Sequence, residues 1–247
     1  MNEHSESSVT TLRSQLESNL VYKIGEILLV FIAALALIYS LLPFAGENLV
    51  LQQSIVWTAN IVMLCLVWIS LKIRGEHWSD FGITFGTISA KKTGAVFLKS
   101  LLVFVLAMIA FALGSIIMAP ITGIPESADM SNYAYMQNNI PMLLLTLLGV
   151  YIVSSFGEEV IYRAFLINRI SEMGFSEKWK NRIAIILSAI IFGLIHYEWG
   201  PMGMVQTGFM GLVLGYFYVR YNRKIWILVL AHAYMDSILM VQMYLAG

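Results

Sequence analysis

The chain consists mainly of long apolar runs separated by short polar connections. Five runs carry no charge and approach the roughly 20 apolar residues that a membrane-spanning helix needs. They are Ile27–Phe44, Ser54–Leu71, Ser100–Ile121, Ile140–Gly157 and Pro201–Val219. Two further runs suit spans but end at or contain ionisable groups: Ile183–Ile195, followed by His196, and Ile225–Leu245, with His232 and Asp236. The pattern predicts an all-α polytopic transmembrane helical bundle of about seven spans.

The first 23 residues are polar and precede this membrane region. Apolar residues at Val9, Leu12, Leu16 and Leu20 recur at helical spacing, which is typical of an interfacial helix but also fits a frayed polar leader. The segment lacks the basic stretch, short apolar core and small-residue cleavage site of a signal peptide. We therefore expect no removable signal peptide. We also expect a polar cytoplasmic segment over 1–23 and a membrane-embedded domain over 24–247.

The basic residues predict the topology. All 15 Lys and Arg residues lie in the N-terminal segment or near the connections that follow predicted spans two, four and six. The alternate loops Ala45–Gln53, Thr122–Asn139 and Tyr197–Gly200 contain none. Because cytoplasmic loops carry an excess of Lys and Arg, the N-terminus is expected inside and the C-terminus outside. The expected location is the bacterial cytoplasmic membrane.

Composition supports a membrane protein and narrows its chemistry. Charged residues make up 12% of the chain, about half the fraction typical of soluble domains, and mean hydropathy is +0.76. The 15 basic and 15 acidic residues cancel, so the charge balance gives no indication of a nucleic-acid partner. A single cysteine, Cys65, excludes an internal disulfide.

Three sequence clusters place ionisable side chains inside the membrane, where such groups are costly and are functional candidates by default. They are EEVIYR at Glu158–Arg163, FGLIH at Phe192–His196 and HAYMD at His232–Asp236. On an α-helix, Glu159 and Arg163 lie one turn apart and can pair. Glu158 would point about 100° away from Glu159, leaving it without that partner and available as a general acid or base.

The three clusters are expected at similar depths in the bilayer. Counted inward from the nearest basic residues at about 1.5 Å per residue, Glu158, His196, His232 and Asp236 fall within one middle band of the bilayer. Asp236, one turn from His232, can fix the imidazole tautomer, or the two can present ligands to a metal. We interpret the convergence as one site that opens toward the cytoplasmic side.

The three motifs, in this order, resemble the CPBP family of CAAX prenyl proteases and bacteriocin-processing or self-immunity proteins, also called Abi proteins. The family pattern is EExxxR, then FxxxH, then HxxxN or HxxxD. The stretch WSDFGITF at Trp78–Phe85 is similar to the family's amphipathic lead-in.

The resemblance implies an intramembrane glutamic endopeptidase that hydrolyses a peptide bond of a membrane-associated protein or peptide. It implies that Glu158 and His196 activate a water molecule. It further implies that His232 and the residue at position 236 stabilise the oxyanion, while Glu159 and Arg163 organise the site.

Position 236 departs from the prenyl-protease members, which have Asn. Because an ionised Asp cannot donate a hydrogen bond to an oxyanion, Asp236 is expected to be protonated, to orient His232 or to bind a metal. The family has been described both as metal-dependent and as metal-free. We favour the metal-free form; the alternative is a zinc site formed by Glu158, His196, His232 and Asp236, although no HExxH motif is present.

The expected partners are a peptide or membrane-protein substrate and the lipid bilayer, with no nucleic acid; the sequence leaves the oligomeric state open. A non-catalytic membrane immunity or regulatory binding protein is the alternative function. A small transporter is disfavoured because the chain lacks the repeated pair of interrupted spans that such proteins show.

Overall fold

The computed structural model describes residues 3–84, 86, 89–123 and 131–246, and over these ranges the chain is helical with no strand. The helices are α1 (Glu3–Ser18), α2 (Leu20–Ala45), α3 (Leu49–Arg74), α4 (Ala90–Thr122), α5 (Ile140–Val150), a π-helix (Tyr151–Ile167), α6 (Asn168–Ser171), α7 (Lys180–Leu194), α8 (Gly200–Arg220) and α9 (Ile225–Leu245). Short 3₁₀ helices occur at Trp78–Phe81, Ser131–Met136 and Tyr197–Trp199.

Six described helical segments are long and apolar enough to cross a membrane: α2, α3, α4, the continuous segment Ile140–Ser171, the segment Tyr197–Arg220 and α9. They confirm an all-α, multi-pass integral membrane protein. The predicted span Ile183–Ile195 corresponds to α7, which has 15 residues and is about 22 Å long. Because α7 is too short to qualify, the count of seven and the orientation of the termini stay predictions.

Glycines allow α8 to pack closely against α4 and α7. A Cβ on Gly193 of α7 would lie 2.5 Å from the Met204 carbonyl oxygen of α8, and one on Gly114 of α4 would lie 2.8 Å from the Gln206 Cα. Gly211, in the GxxxG pattern of α8, faces α7 in the same way. Small residues of this kind let helix backbones approach closely within a membrane.

A buried ionic cluster ties α2, α3 and α6 together at the end of the bundle where the basic residues gather. Arg74 Nη2 lies 2.6 Å from Glu26 Oε2, and Arg169 Nε lies 3.1 Å from Glu26 Oε1. Arg169 also pairs with Glu76 and Glu172, and its side chain is completely buried. Shared partners satisfy both guanidinium groups, which is the condition for burying charge.

The N-terminal segment forms a helix, α1, that packs on α2 and α3. Leu16 is buried, and its carbonyl oxygen accepts a 3.0 Å hydrogen bond from Arg74 Nη2. The helical spacing of its apolar residues therefore corresponds to a real helix. Its position at the membrane surface and the division of the chain at residue 23 stay predictions.

The lead-in Trp78–Phe85 packs against the turn between α8 and α9. Gly82 has a φ of +78°, and a Cβ there would lie 1.5 Å from the Arg223 carbonyl oxygen, so only glycine fits. Trp226 Nε1 donates a 3.2 Å hydrogen bond to the Thr84 carbonyl oxygen. The segment is thus attached next to the first turn of α9; its last residue lies outside the described ranges.

Candidate functional site

The first motif lies on a π-helix of 17 residues, Tyr151–Ile167, instead of the expected α-helix. A π-helix closes its hydrogen bonds over five residues, so adjacent side chains are separated by a smaller angle than on an α-helix. Such helices are rare and occur mostly as single turns at functional sites. Every residue from Glu159 to Ile170 is buried, because α3, α7 and α9 surround this segment.

Glu159, Arg163 and His232 form the buried centre of the site. Glu159 Oε1 lies 3.0 Å from Arg163 Nη1 and 2.8 Å from His232 Nδ1. All three side chains are at most 5% exposed. The predicted pairing of Glu159 with Arg163 is therefore present, and the same carboxylate also reaches the imidazole of α9. Glu159 Oε2 and both Nη atoms of Arg163 have no hydrogen-bond partner among the described residues, so Arg163 and Glu159 interact as an ion pair.

Glu158 approaches the same imidazole from its other nitrogen. Its Oε2 lies 3.9 Å from His232 Nε2, and its side chain is 14% exposed, whereas that of Glu159 is fully buried. The α-helical interpretation had the two glutamates facing about 100° apart. The narrower angular step of the π-helix instead lets both carboxylates reach His232. Glu158 is thus the more accessible of the two.

Asp236 completes the surroundings of His232. Its Oδ1 lies 3.7 Å from His232 Nε2, and its Oδ2 accepts a 2.7 Å hydrogen bond from Ser155 Oγ. One oxygen of Asp236 therefore faces a hydroxyl donor and the other faces the imidazole. Ser155 was not identified from the sequence, because serines in an apolar run usually satisfy their hydroxyl groups on their own helix.

His196 follows the end of α7, near the same cluster. Its Nδ1 lies 2.7 Å from the Phe192 carbonyl oxygen, which can only accept, so Nδ1 carries the proton and Nε2 has a free lone pair. Among the described residues His196 makes no ion pair with the carboxylates. Its ring contacts the Phe192 ring, with centroids 4.8 Å apart.

Phe192, the first residue of the FxxxH motif, connects the charged groups of the site. Its ring is fully buried and lies 4.2 Å from the Arg163 guanidinium carbon and 6.4 Å, centroid to centroid, from the His232 ring. With His196 on another edge, one aromatic side chain contacts both histidines and the arginine. A guanidinium over a desolvated ring gains about 2 kcal/mol. The spacing identified Phe192 as part of a motif but gave no indication of this role.

The four side chains considered as zinc ligands do not form a ligand set. Over the part of the chain that the structure describes, no three His, Cys, Asp or Glu side chains are arranged to hold a metal ion. Glu159 occupies Nδ1 of His232, and His196 contacts the cluster through Phe192. The metal-free form and the zinc alternative both stay predictions.

The 3₁₀ helix Ser131–Met136 lies on the opposite side of the site from the ionic cluster. Met136 is fully buried and packs with Met240, one turn beyond Asp236 on α9. Burial raises the pKa of the neighbouring Tyr133 to about 12, and the negative charges of Tyr135, Asp236 and Glu158 add to the shift. Through Met136, the described residues 131–139 of the loop Thr122–Asn139 pack against α9.

The fold and the site together define a multi-pass membrane protein with a buried cluster of carboxylates, histidines and arginine near the middle of its bundle. Residues 140–238 match the family model described as type II CAAX prenyl endopeptidase Rce1-like. The match covers 99 of the 247 residues and confirms, over this segment, the resemblance to CAAX prenyl proteases drawn from the three motifs. Neither the curated proteins nor the solved structures contain a match to the chain.

Proposed function

We propose that the chain is an intramembrane glutamic endopeptidase that hydrolyses a peptide bond of a membrane-associated protein or peptide. The observation that carries the proposal is the enclosure of His232 by three carboxylates, with Glu159 at Nδ1 and Glu158 and Asp236 at Nε2. All four residues lie within the segment that matches the protease family. Hydrolysis of a peptide bond needs such a combination of a proton acceptor and oriented donors.

Glu158 is the proposed general base. Its carboxylate is partly accessible and has no Arg or Lys partner in the described structure, so it is free to take a proton from water. Glu159 is unsuited to that role, because it is fully buried and its Oε1 serves both Arg163 and His232. We assign Glu159 and Arg163 to holding the imidazole in place.

In the proposed reaction, Glu158 accepts a proton from a water molecule whose oxygen attacks the carbonyl carbon of the substrate. The resulting oxyanion would accept a hydrogen bond from His232 Nε2–H, which exists when the imidazole carries protons on both nitrogens. The C–N bond then breaks, and the leaving nitrogen takes the proton back from Glu158. This sequence yields a new carboxylate and a new amine.

His196 is proposed to help orient the attacking water. Its Nδ1 proton is committed to the Phe192 carbonyl oxygen, which leaves Nε2 as an acceptor. Neutral histidines held in one tautomer by a backbone carbonyl commonly act as positioning acceptors. Its contact with Phe192, which also touches His232, supports a place beside the same substrate bond.

The substrate class follows from the family and the membrane setting. The matching family model is described as a CAAX prenyl endopeptidase, and we propose that a lipid-anchored or membrane-embedded peptide reaches the site in the bilayer. Cleavage of a prenylated peptide, but not of the unprenylated peptide of the same sequence, would indicate a lipid-anchored substrate.

The test is an assay of purified protein on a peptide library, with and without a chelator, beside Glu158→Gln. The proposal predicts cleavage by the wild-type protein, retention of that cleavage in chelator and its loss in Glu158→Gln. Loss of cleavage in chelator would instead support the metal-dependent form. Cleavage that survives in Glu158→Gln would refute the assignment of the base.

A matched packing variant separates catalysis from binding. Gly211→Leu places a large side chain where a Cβ would already lie 3.2 Å from Phe192 Cδ1. A regulatory binding protein would keep its function in Glu158→Gln and lose it in Gly211→Leu. The protease loses cleavage in Glu158→Gln while remaining folded.

A further inference from the structure

The residue at position 236 is an Asp where the prenyl proteases have Asn, and its hydrogen bond with Ser155 explains how this chain accommodates it. Ser155 Oγ donates a 2.7 Å hydrogen bond to Asp236 Oδ2, and Ser155 is completely buried. The other carboxylate oxygen, Oδ1, lies 3.7 Å from His232 Nε2.

Ser155 lies on the π-helix, next to α9. Adjacent residues of a π-helix are separated by a smaller angle than those of an α-helix, so α-helical spacing does not predict where Ser155 faces. Its hydroxyl group reaches Asp236 of α9. The π-helix and the Asp at position 236 are therefore joined by this hydrogen bond.

We propose that Ser155 is a positioning residue that holds Asp236 as a hydrogen-bond acceptor with Oδ1 toward His232. Asp236 then supports the imidazole and does not donate to the oxyanion. This inference rests on the proposed function for its effect on catalysis. The contribution of the Ser155–Asp236 hydrogen bond to stability can be measured separately from catalysis.

The chemistry of the side chains favours this match. A carboxylate accepts at both oxygens, so it can accept the Ser155 hydroxyl at one oxygen and face the imidazole with the other. An Asn at position 236 would accept at one oxygen only and would present an NH₂ group that needs acceptors. Hydrogen bonds to a charged acceptor are roughly twice as strong as neutral ones, so Ser155 should matter more to Asp236 than to an Asn.

The same helix interface supplies a control. Ser237, the next residue after Asp236, has its Oγ 2.8 Å from the Tyr151 hydroxyl group of the π-helix. Ser237→Ala therefore removes a hydroxyl contact between the same two helices, but one that does not serve Asp236.

The first experiment measures cleavage of one peptide by Ser155→Ala, Ser155→Thr and Ser237→Ala, each with Asp236 and with Asp236→Asn. With Asp236, Ser155→Ala should lower kcat about tenfold and change KM less than about twofold, because a charge-assisted hydrogen bond is lost. Ser155→Thr, which keeps the hydroxyl group, should restore most of kcat. With Asp236→Asn, the same Ala change should lower kcat less than about threefold.

The second experiment measures thermal unfolding of the same purified variants in detergent, and it works whether or not any peptide is cleaved. Ser155→Ala should lower Tm about twice as much with Asp236 as with Asp236→Asn. Ser237→Ala should lower Tm equally in both. Equal Tm shifts for Ser155→Ala with Asp236 and with Asp236→Asn would refute the proposal that Ser155 positions the Asp236 carboxylate. Absence of cleavage by the wild-type protein would refute only the proposed function.

Discussion

The two adjacent glutamates should respond differently to the same chemical change. Glu159→Gln removes the negative partner of Arg163, whose side chain is 1% exposed, and weakens the hydrogen bond to His232. Glu158→Gln changes a side chain that is 14% exposed and whose carboxylate lies 3.9 Å from His232 Nε2. Both substitutions preserve size and shape, so packing does not distinguish them.

The magnitudes follow from burial. Removal of one partner from a buried ion pair costs about 3–5 kcal/mol, because the remaining charge stays buried without compensation. A chain of this length loses about 2–4 °C in Tm per kcal/mol, so Glu159→Gln should lower Tm by about 6–20 °C. Glu158→Gln should cost about 1 kcal/mol or less, since it breaks no Arg or Lys pair.

Thermal unfolding of the purified variants in detergent, followed by fluorescence of the six tryptophans, measures the difference. Arg163→Met combined with Glu159→Gln provides an internal check: removing both charges should recover part of the lost stability. Equal Tm shifts for the two glutamine variants, or a larger shift for Glu158→Gln, would refute the division into a buried positioning carboxylate and an accessible one.

Three further predictions use the same unfolding measurement. Arg169→Met should cost about 3–5 kcal/mol and Arg13→Met at most about 1 kcal/mol, because the first removes a fully buried cation and the second a half-exposed one; similar losses would contradict the buried ionic cluster. Gly193→Ala should cost about 1–3 kcal/mol, since its Cβ would meet a carbonyl oxygen of α8 at 2.5 Å, while Gly25→Ala, with no atom within 4 Å, should not destabilise. Phe192→Leu should cost at least about 2 kcal/mol through the lost guanidinium contact, and an unchanged Tm would exclude that contact.

Hydrophobic runs and motif spacing were sufficient to predict the helical membrane fold and to select residues that meet in space. Glu158, Glu159 and Arg163 do lie beside His232 and Asp236, because ionisable groups at one depth in a bundle tend to face its interior. The roles given to these residues stay predictions. The opening of the site toward the cytoplasmic side also stays a prediction.

Local helix geometry could not be predicted in the same way. Apolar residues cover the whole of the segment around Ser155, so no amphipathic period distinguishes an α-helix from a π-helix. The hydrogen bond of Ser155 to Asp236 depends on that geometry. The contact of Phe192 with three charged or titratable side chains depends on packing between helices that sequence spacing does not specify.

The central claim, hydrolysis by water that Glu158 activates, is tested most directly by the cleavage rate of one peptide at saturating concentration. Wild-type protein and the Glu158→Gln variant are purified in parallel, and their kcat values are compared once similar Tm values show that both are folded. A general base contributes about 10²–10⁴-fold, so kcat should fall by that factor with little change in Tm. A wild-type protein that cleaves no peptide, or a Glu158→Gln variant within about threefold of the wild-type kcat, would contradict the claim.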